Sequence, residues 1–550
     1  MRFIRLRCRA AASVTLFLAL LVAPDGARAV HTHRSPATGR VGSDTLDVLL
    51  LGGRVLDGAG NPWLRRDVGI RGDRIAFVGD AAVGRVVSRD TVQGGGRLIT
   101  PGFWDVHSHA ELETDVGRRA LPQLHQGITT VVLGLDGGGA PAVDSVLAQY
   151  ERDGIAVNAL RFVGHGAVRR MVMGTENRAP SAAELARMKA LIERALREGA
   201  FGLSTGFFYV PGSYATTEEV VELNRVAARF GGIYDTHDRD LGASYQGIGY
   251  LASIAEGIEI GERAGTPVIF SHFSPQGAPN RGRAAEGARL IEEARARGVN
   301  VMAAQHPYTA TQSSLSAYTI PRWAAAGGRA ALLARFEDPA TVRRLDVETM
   351  EMLELRGGAE KIMIVDPRPA LNGRTLAQVA SAWNLAVPQT VRRILREGEA
   401  AVMNLDLYDL ENIRYLARQE WMMTCTDGRT PHPGQQIVHP RVYGAFTRKL
   451  RLFVYEDDVI TLPFAVRGMS GLAAAFFNVP ERGQIREGWF ADIAVFDEAR
   501  IRDRATFDDP HHYSEGTVHV LVNGRFAIRD GEPTGELAGR PVRRHAGGSR

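Results

Sequence analysis

A repeating rhythm constrains this chain more than any other feature. From Leu98 onward, short apolar runs alternate with longer stretches of helical spacing, and several runs end on a histidine or an aspartate. Leu98 to Val106 leads into His107-Ser108-His109, and Thr129 to Leu133 into Asp136. Ile233 to Thr236 leads into His237, Val268 to Ser271 into His272, and Trp421 to Thr426 into Asp427. Between them, Ser181 to Glu198, Thr216 to Phe230 and Ala284 to Arg297 have helical spacing. Thr216 and Glu219 are spaced as a capping box, and Gly231-Gly232 supplies a stop. Strands alternating with helices predict βα units and a parallel sheet.

In a βα barrel, residues at strand C-termini converge on one face. His107, His109, Asp136, His237, His272 and Asp427 would then share one pocket. His107 and His109 stand two apart at a strand end, so both imidazoles point to the same side. Imidazole and carboxylate suit zinc and similar divalent ions. One or two ions fit six such groups. An ion of this kind lowers the pKa of a bound water from about 15.7 to about 7 and polarises a carbonyl. A free carboxylate beside it can take and return the proton. Asp427, directly after the last such run, is placed for that work. Taken singly, each residue has a plainer role. Asp136 precedes three glycines and Asp427 one, as turn aspartates do. His237 could pair with Asp238 or Asp240, and His272 could be a core histidine. His165 and His306 suit pocket lining better than ligation.

The ends of the chain differ in texture. Arg2, Arg5, Arg7 and Arg9 precede an apolar run from Ala10 to Ala23, and Ala27-Arg28-Ala29 has the small-residue pattern of a cleavage site. Residues 1–29 read as a secretory signal, which predicts export to a periplasmic or extracellular space. The apolar run is too short to span a bilayer comfortably, so no stable membrane association is expected after cleavage. Residues 30–45 are polar and read as a flexible leader. Residues 1–29 carry five Arg and one Asp, the same net +4 as the whole chain, so the remainder is near neutral. That gives no electrostatic case for a nucleic-acid partner; a small-molecule substrate is expected instead. Cys8 falls in the signal and leaves Cys425 alone, which excludes an intrachain disulfide. Short apolar runs broken by glycine return before Leu98 and after Ala491, where Asn523-Gly524 is a hairpin signal. The first of these stretches reads as a small antiparallel unit, and the two ends are expected to pair into one satellite domain.

Taken together, these residues resemble the amidohydrolase superfamily, in particular the N-acyl-D-amino-acid deacylases (D-aminoacylases). The resemblance rests on Pro101-Gly102-Phe103 through His109, Gly164-His165-Gly166 and Gly202 to Gly206. It continues in Tyr209, Thr236-His237-Asp238-Arg239-Asp240, Ser271-His272, Pro307-Tyr308, Asp427-Gly428 and His439-Pro440-Arg441. It implies a (β/α)8 barrel over 101–470 with an insertion at about 308–418. A small β-sandwich would be built from 46–100 and 471–543. It also implies a zinc site and hydrolysis of an amide. By position, His107, His109, His237 and His272 match the family's metal ligands and Asp427 its catalytic acid/base.

Three departures from the family pattern matter. Asp136 stands where the family usually has a cysteine. It is the best candidate to bridge two ions, because Lys189, Lys361 and Lys449 follow no barrel strand. Ser274 stands where a lysine would suit a substrate carboxylate, leaving Arg239 or Arg429 to substitute. Ala304 and His306 replace an acidic residue and a tyrosine, and Phe208 replaces a glutamate. Tyr209, Arg239, Ser274, His306 and Arg429 are the expected substrate contacts. Two alternatives share this scaffold. One is hydrolysis of a cyclic amide, ester or lactone at the same site. The other is a metal-free binding protein, with Asp136 as the mark of a decayed site.

Overall fold

The computed structural model describes residues 45–432 and 434–544. The signal read over 1–29, and all of the leader except Thr45, lie outside them. Eight parallel strands form a ring: β1 (Phe103–Asp105), β2 (Ile128–Leu133), β3 (Asn158–Arg161, continued by Val163–Gly164), β4 (Gly202–Gly206), β5 (Ile233–His237), β6 (Val268–Phe270), β7 (Val301–Gln305) and β8 (Met422–Thr424). Each pairs with the next, round from β1 to β8. Past the strand ends the ring closes through the main chain. The Asp427 amide donates to the His107 carbonyl at 2.9 Å, and the His109 amide to the Gly428 carbonyl at 3.0 Å. This is the (β/α)8 barrel. Every residue of β2, β4 and β8 is buried, as expected for strands covered on both faces.

Helices Ala182–Arg197, Thr217–Arg229, Tyr250–Ala264, Ala284–Ala296 and Leu410–Ala417 follow one another round the outside, each against the next. The first has a closed capping box between Ser181 and Glu184. The second has only half of the box its sequence suggests. The Thr216 hydroxyl accepts from the Glu219 amide at 3.2 Å, but the Glu219 carboxylate turns inward. It accepts from Arg169 at 2.5 and 2.7 Å and meets His165 Nε2 at 2.9 Å. A buried guanidinium needs an anion more than a helix-end amide needs a partner. His165 is therefore fixed within the wall, fully buried against Glu219 and not among the residues that line the cavity at the strand ends.

The stretch between β7 and β8 carries a small antiparallel sheet of Thr311–Ser314, Ala401–Asn404 and Ile362–Val365, with its own apolar core. Its last part differs from the sequence expectation. Leu410–Ala417 is an outer barrel helix, because Ile413, Leu416 and Ala417 bury one apolar stripe.

The satellite is a nine-stranded sheet in which Ile493–Phe496 from the far end pairs antiparallel with Leu98–Pro101 from the near end. The near part is mixed rather than antiparallel. Leu46–Val55 pairs in parallel with both Ser88–Gln93 and Leu98–Pro101. Asn523 and Gly524 turn the hairpin with φ of 47° and 78°. Not all of the far segment joins this sheet. Gly471–Phe476 is a helix, and the following Phe477 stacks on Trp104 at 6.3 Å, filling the barrel interior away from the site.

Removing the anion at Glu219 leaves Arg169 buried without a counterion. Glu219→Gln is expected to cost about 3 kcal/mol or more of stability, read as a lower midpoint in urea. An unchanged midpoint would show that the cluster contributes nothing.

Candidate active site

A cavity of about 570 Å³ opens where the strands end. His109, Asp136, His237, His272 and Asp427 line it, and His107 lies fully buried beneath. The Asp136 carboxylate is the meeting point. Its Oδ1 lies 3.5 Å from His107 Nε2, 3.4 Å from His237 Nδ1 and 3.6 Å from His272 Nε2. Its Oδ2 lies 3.3 Å from His109 Nε2. Asp427 Oδ1 faces the same pair of histidines, at 3.7 Å from His107 and 3.2 Å from His109. Two donor sets result: His107, His109, Asp136 and Asp427, and Asp136, His237 and His272. Asp136 belongs to both.

The local chain explains how such groups come so close. Asp136, His272 and Asp427 all have positive φ, at 53°, 34° and 48°. Asp tolerates this region, whereas a histidine there is strained and must be held by its surroundings. Two of the three glycines after Asp136, Gly137 and Gly139, have a packing reason, since a Cβ on Gly139 would sit 2.3 Å from the Phe162 carbonyl oxygen. A Cβ on Gly137 would sit 2.8 Å from the Gly206 amide nitrogen, and one on Gly164 would sit 2.3 Å from the Gly137 carbonyl. The glycine-rich turns of β2, β3 and β4 therefore nest directly on one another.

Electrostatics keep both acids charged. Burial pushes the Asp136 carboxyl up, but His107 and His237 outweigh it and hold it well below the usual range. Asp427 is likewise held well below, with Arg441 and His272 overriding burial. Burial opposes charge on His109 too, yet hydrogen bonding to Asp136 and Asp427 raises it to about 10. His237 is lowered to about 4 by burial and by its neighbour His272.

The donor set fits a divalent ion. His107 Nε2, His237 Nδ1 and Asp136 Oδ1 are buried with no hydrogen-bond partner among the described residues. Ligands about 2.1 Å from a shared tetrahedral ion stand about 3.4 Å apart. The spacings of 3.2 to 3.7 Å match that value.

The expected substrate contacts separate into groups. Tyr209 lines the cavity, its ring 4.8 Å from that of His237. Arg239 lines it too, but its guanidinium donates to Glu256 at 2.8 Å and to the Ser213 and Ala215 carbonyls. Arg429 stands at the rim, its side chain 66% exposed and 3.6 Å from Glu111. Ser274 is buried and is not among the residues that line the cavity. His306 is also buried. It lies 4.0 Å from Asp427 and accepts from Arg441 at 3.1 Å, so it stands behind Asp427 and is not among the residues that line the cavity.

Sequence reasoning assigned no role to Arg441, which donates to Asp427 Oδ2 at 2.5 Å. Its only signal was the His-Pro-Arg motif, because the contact joins a helix start to a strand end. It also missed Tyr318 and Arg356, cavity residues supplied by the insertion without any motif.

Known proteins share this architecture. The amidohydrolase family model matches residues 90–528. A D-aminoacylase of Alcaligenes xylosoxydans xylosoxydans is 34% identical over 527 residues, covering 92% of this chain and 99% of its own. The chain belongs to the amidohydrolase family. Among solved structures, this amidohydrolase resembles the N-acyl-D-glutamate deacylase of Bordetella bronchiseptica in complex with zinc and a phosphonate inhibitor. The TM-score is 0.77 and the identity 30%, covering 91% of this chain and all of that one. A D-aminoacylase structure with a binuclear metal centre matches at a TM-score of 0.76 and 30% identity, covering 90% of this chain and all of that one. The amidohydrolase is thus a metal-dependent hydrolase of carbon–nitrogen bonds other than peptide bonds. A decayed, metal-free site does not describe it, since Asp136 is the donor common to both sets.

Elemental analysis of purified variants checks this geometry. Asp136→Ala is expected to lose nearly all bound divalent metal, and His237→Ala at most one ion per chain. Full metal content in Asp136→Ala would remove the shared-ligand role.

Proposed function

We propose that this amidohydrolase cleaves the amide of an N-acyl-D-amino acid, with zinc held by His107, His109, Asp136, His237 and His272. The observation that carries this reading is the pair of donor sets sharing Asp136 beside an ionised Asp427, on the floor of a cavity sized for a small molecule. The relatives named above, a D-aminoacylase and an N-acyl-D-glutamate deacylase, support the substrate class. Bound ions would polarise the scissile carbonyl and acidify the attacking water.

The remaining chemistry falls to the chain itself. Asp427 Oδ1 takes the water's proton and delivers it to the leaving nitrogen. Its other oxygen stays on Arg441, which fixes the carboxylate so that Oδ1 faces the histidines. Phe208 and Tyr209 pack on the His237 ring at 5.6 and 4.8 Å and hold its orientation toward Asp136. Asp136 is suited to bridge two ions, a place where a cysteine is usual in the family. The basic, apolar and Ala-x-Ala order of residues 1–29 supports export before the enzyme acts.

A panel of N-acyl amino acids of both hands tests the substrate class on metal-loaded enzyme, with turnover of the D forms expected. Turnover of hydantoins or lactones in their place would replace this reading. Asp427→Asn is expected to lower kcat by about 10²- to 10⁴-fold, with metal content unchanged and a lower melting temperature, because buried Arg441 loses its carboxylate partner. Retained kcat in that variant would remove Asp427 from the mechanism.

A further inference from the structure

Four arginines line the cavity: Arg239, Arg356, Arg429 and Arg441. Three have an acidic partner within 4 Å, namely Glu256, Glu111 and Asp427. Arg356 has none among the described residues. It is only 3% exposed, and its Nη1 lacks any hydrogen-bond partner. Its guanidinium carbon lies 3.9 Å from the centre of the Tyr318 ring and 5.3 Å from that of Phe208. Stacking on aromatic faces offsets part of the cost of burying a cation, but it satisfies none of the N–H donors. A guanidinium stays protonated in proteins, so the charge persists. A buried, unpaired cation beside a cavity is a counterion site awaiting its anion.

The chemistry of the fork selects the anion. Its planar N–H pair matches a carboxylate in two-point geometry. Position agrees with this. The Phe208 ring lies 5.6 Å from that of His237 in the metal-donor set and 5.3 Å from the Arg356 guanidinium carbon. The cation therefore lies one aromatic ring away from the reacting end, within the reach of a small substrate. The other routes to a carboxylate are closed or distant: Ser274 carries no charge, Arg239 is committed to Glu256, Arg441 to Asp427, and Arg429 stands at the exposed rim. We propose that Arg356, supplied by the insertion, binds the substrate carboxylate and makes it a condition of recognition. This rests on the N-acyl amino acid reading and names the residue that enforces it.

The test compares N-acetyl-D-leucine with N-acetyl-D-leucinamide, which lacks the carboxylate. Binding is measured by calorimetry on metal-loaded Asp427→Asn protein, where turnover does not interfere. The carboxylate is expected to bind at least about 10-fold more tightly, the scale of a charged hydrogen-bonded contact. Adding Arg356→Met is expected to erase that preference while leaving carboxamide binding unchanged. Adding Arg356→Lys, which keeps the charge and loses the fork, is expected to weaken carboxylate binding alone. It serves also if the methionine variant fails to fold. Equal binding of the two ligands to the parent protein, or a preference that survives Arg356→Met, overturns the proposal. So does an equal loss of both ligands in Arg356→Lys. Hydrolysis of N-acetyl-D-leucine by the wild-type enzyme is read separately. Turnover without any dependence on Arg356 removes this residue and leaves the reaction class standing, whereas absence of turnover counts against the reaction class.

Discussion

The Asp136 carboxylate faces four imidazole nitrogens at 3.3 to 3.6 Å, and the rest of the site depends on that convergence. Four histidines buried or half-buried in one place would repel one another once charged and would strand ring nitrogens if neutral. An anion at their centre resolves part of this, and a divalent ion resolves the remainder by giving each stranded atom a bond. Asp427 supplies a second anion at the edge of the cluster. Arg441 balances that anion from outside, so its carboxylate need not be neutralised by the histidines.

Such a cluster cannot be assembled on relaxed backbone alone. Asp136, His272 and Asp427 sit in left-handed conformations, and His272 pays about 1–3 kcal/mol for doing so. The cost is met by neighbours that leave little choice. Main-chain hydrogen bonds between the ends of β1 and β8 place His107, His109 and Asp427 in register. One layer below, Asp105 accepts from the Thr426 amide and hydroxyl, and Asp235 accepts from Ser204 and Ser271. These buried acids tie neighbouring strands together directly beneath the donors. Burial raises both to about 6.

The donors were legible in the sequence because each lies at the end of an apolar run, a local signal. The barrel was legible for the same reason, since alternation of strand and helix repeats along the chain. What escaped reading is long-range. Glu219 has the spacing of a capping residue, yet it serves Arg169 fifty positions away, and no local pattern encodes that choice. Arg441 reaches back fourteen positions to Asp427 across a loop, and Arg356 lies after an insertion helix with no motif around it. His306 and Ser274 read from the sequence as substrate contacts. Here one accepts from Arg441 and the other is buried in the wall, because position along a strand does not fix what a changed side chain will touch. The end of the insertion was misplaced because an amphipathic helix reads alike whether it covers a barrel or an added layer.

Anomalous diffraction from crystals of the zinc-loaded enzyme, recorded on both sides of the zinc edge, tests the central role of Asp136 most directly. The account predicts metal density within ligand distance of an Asp136 carboxylate oxygen, flanked by His107 and His109, by His237 and His272, or by both pairs with the carboxylate between them. Zinc held by the histidines with Asp136 turned away would contradict it.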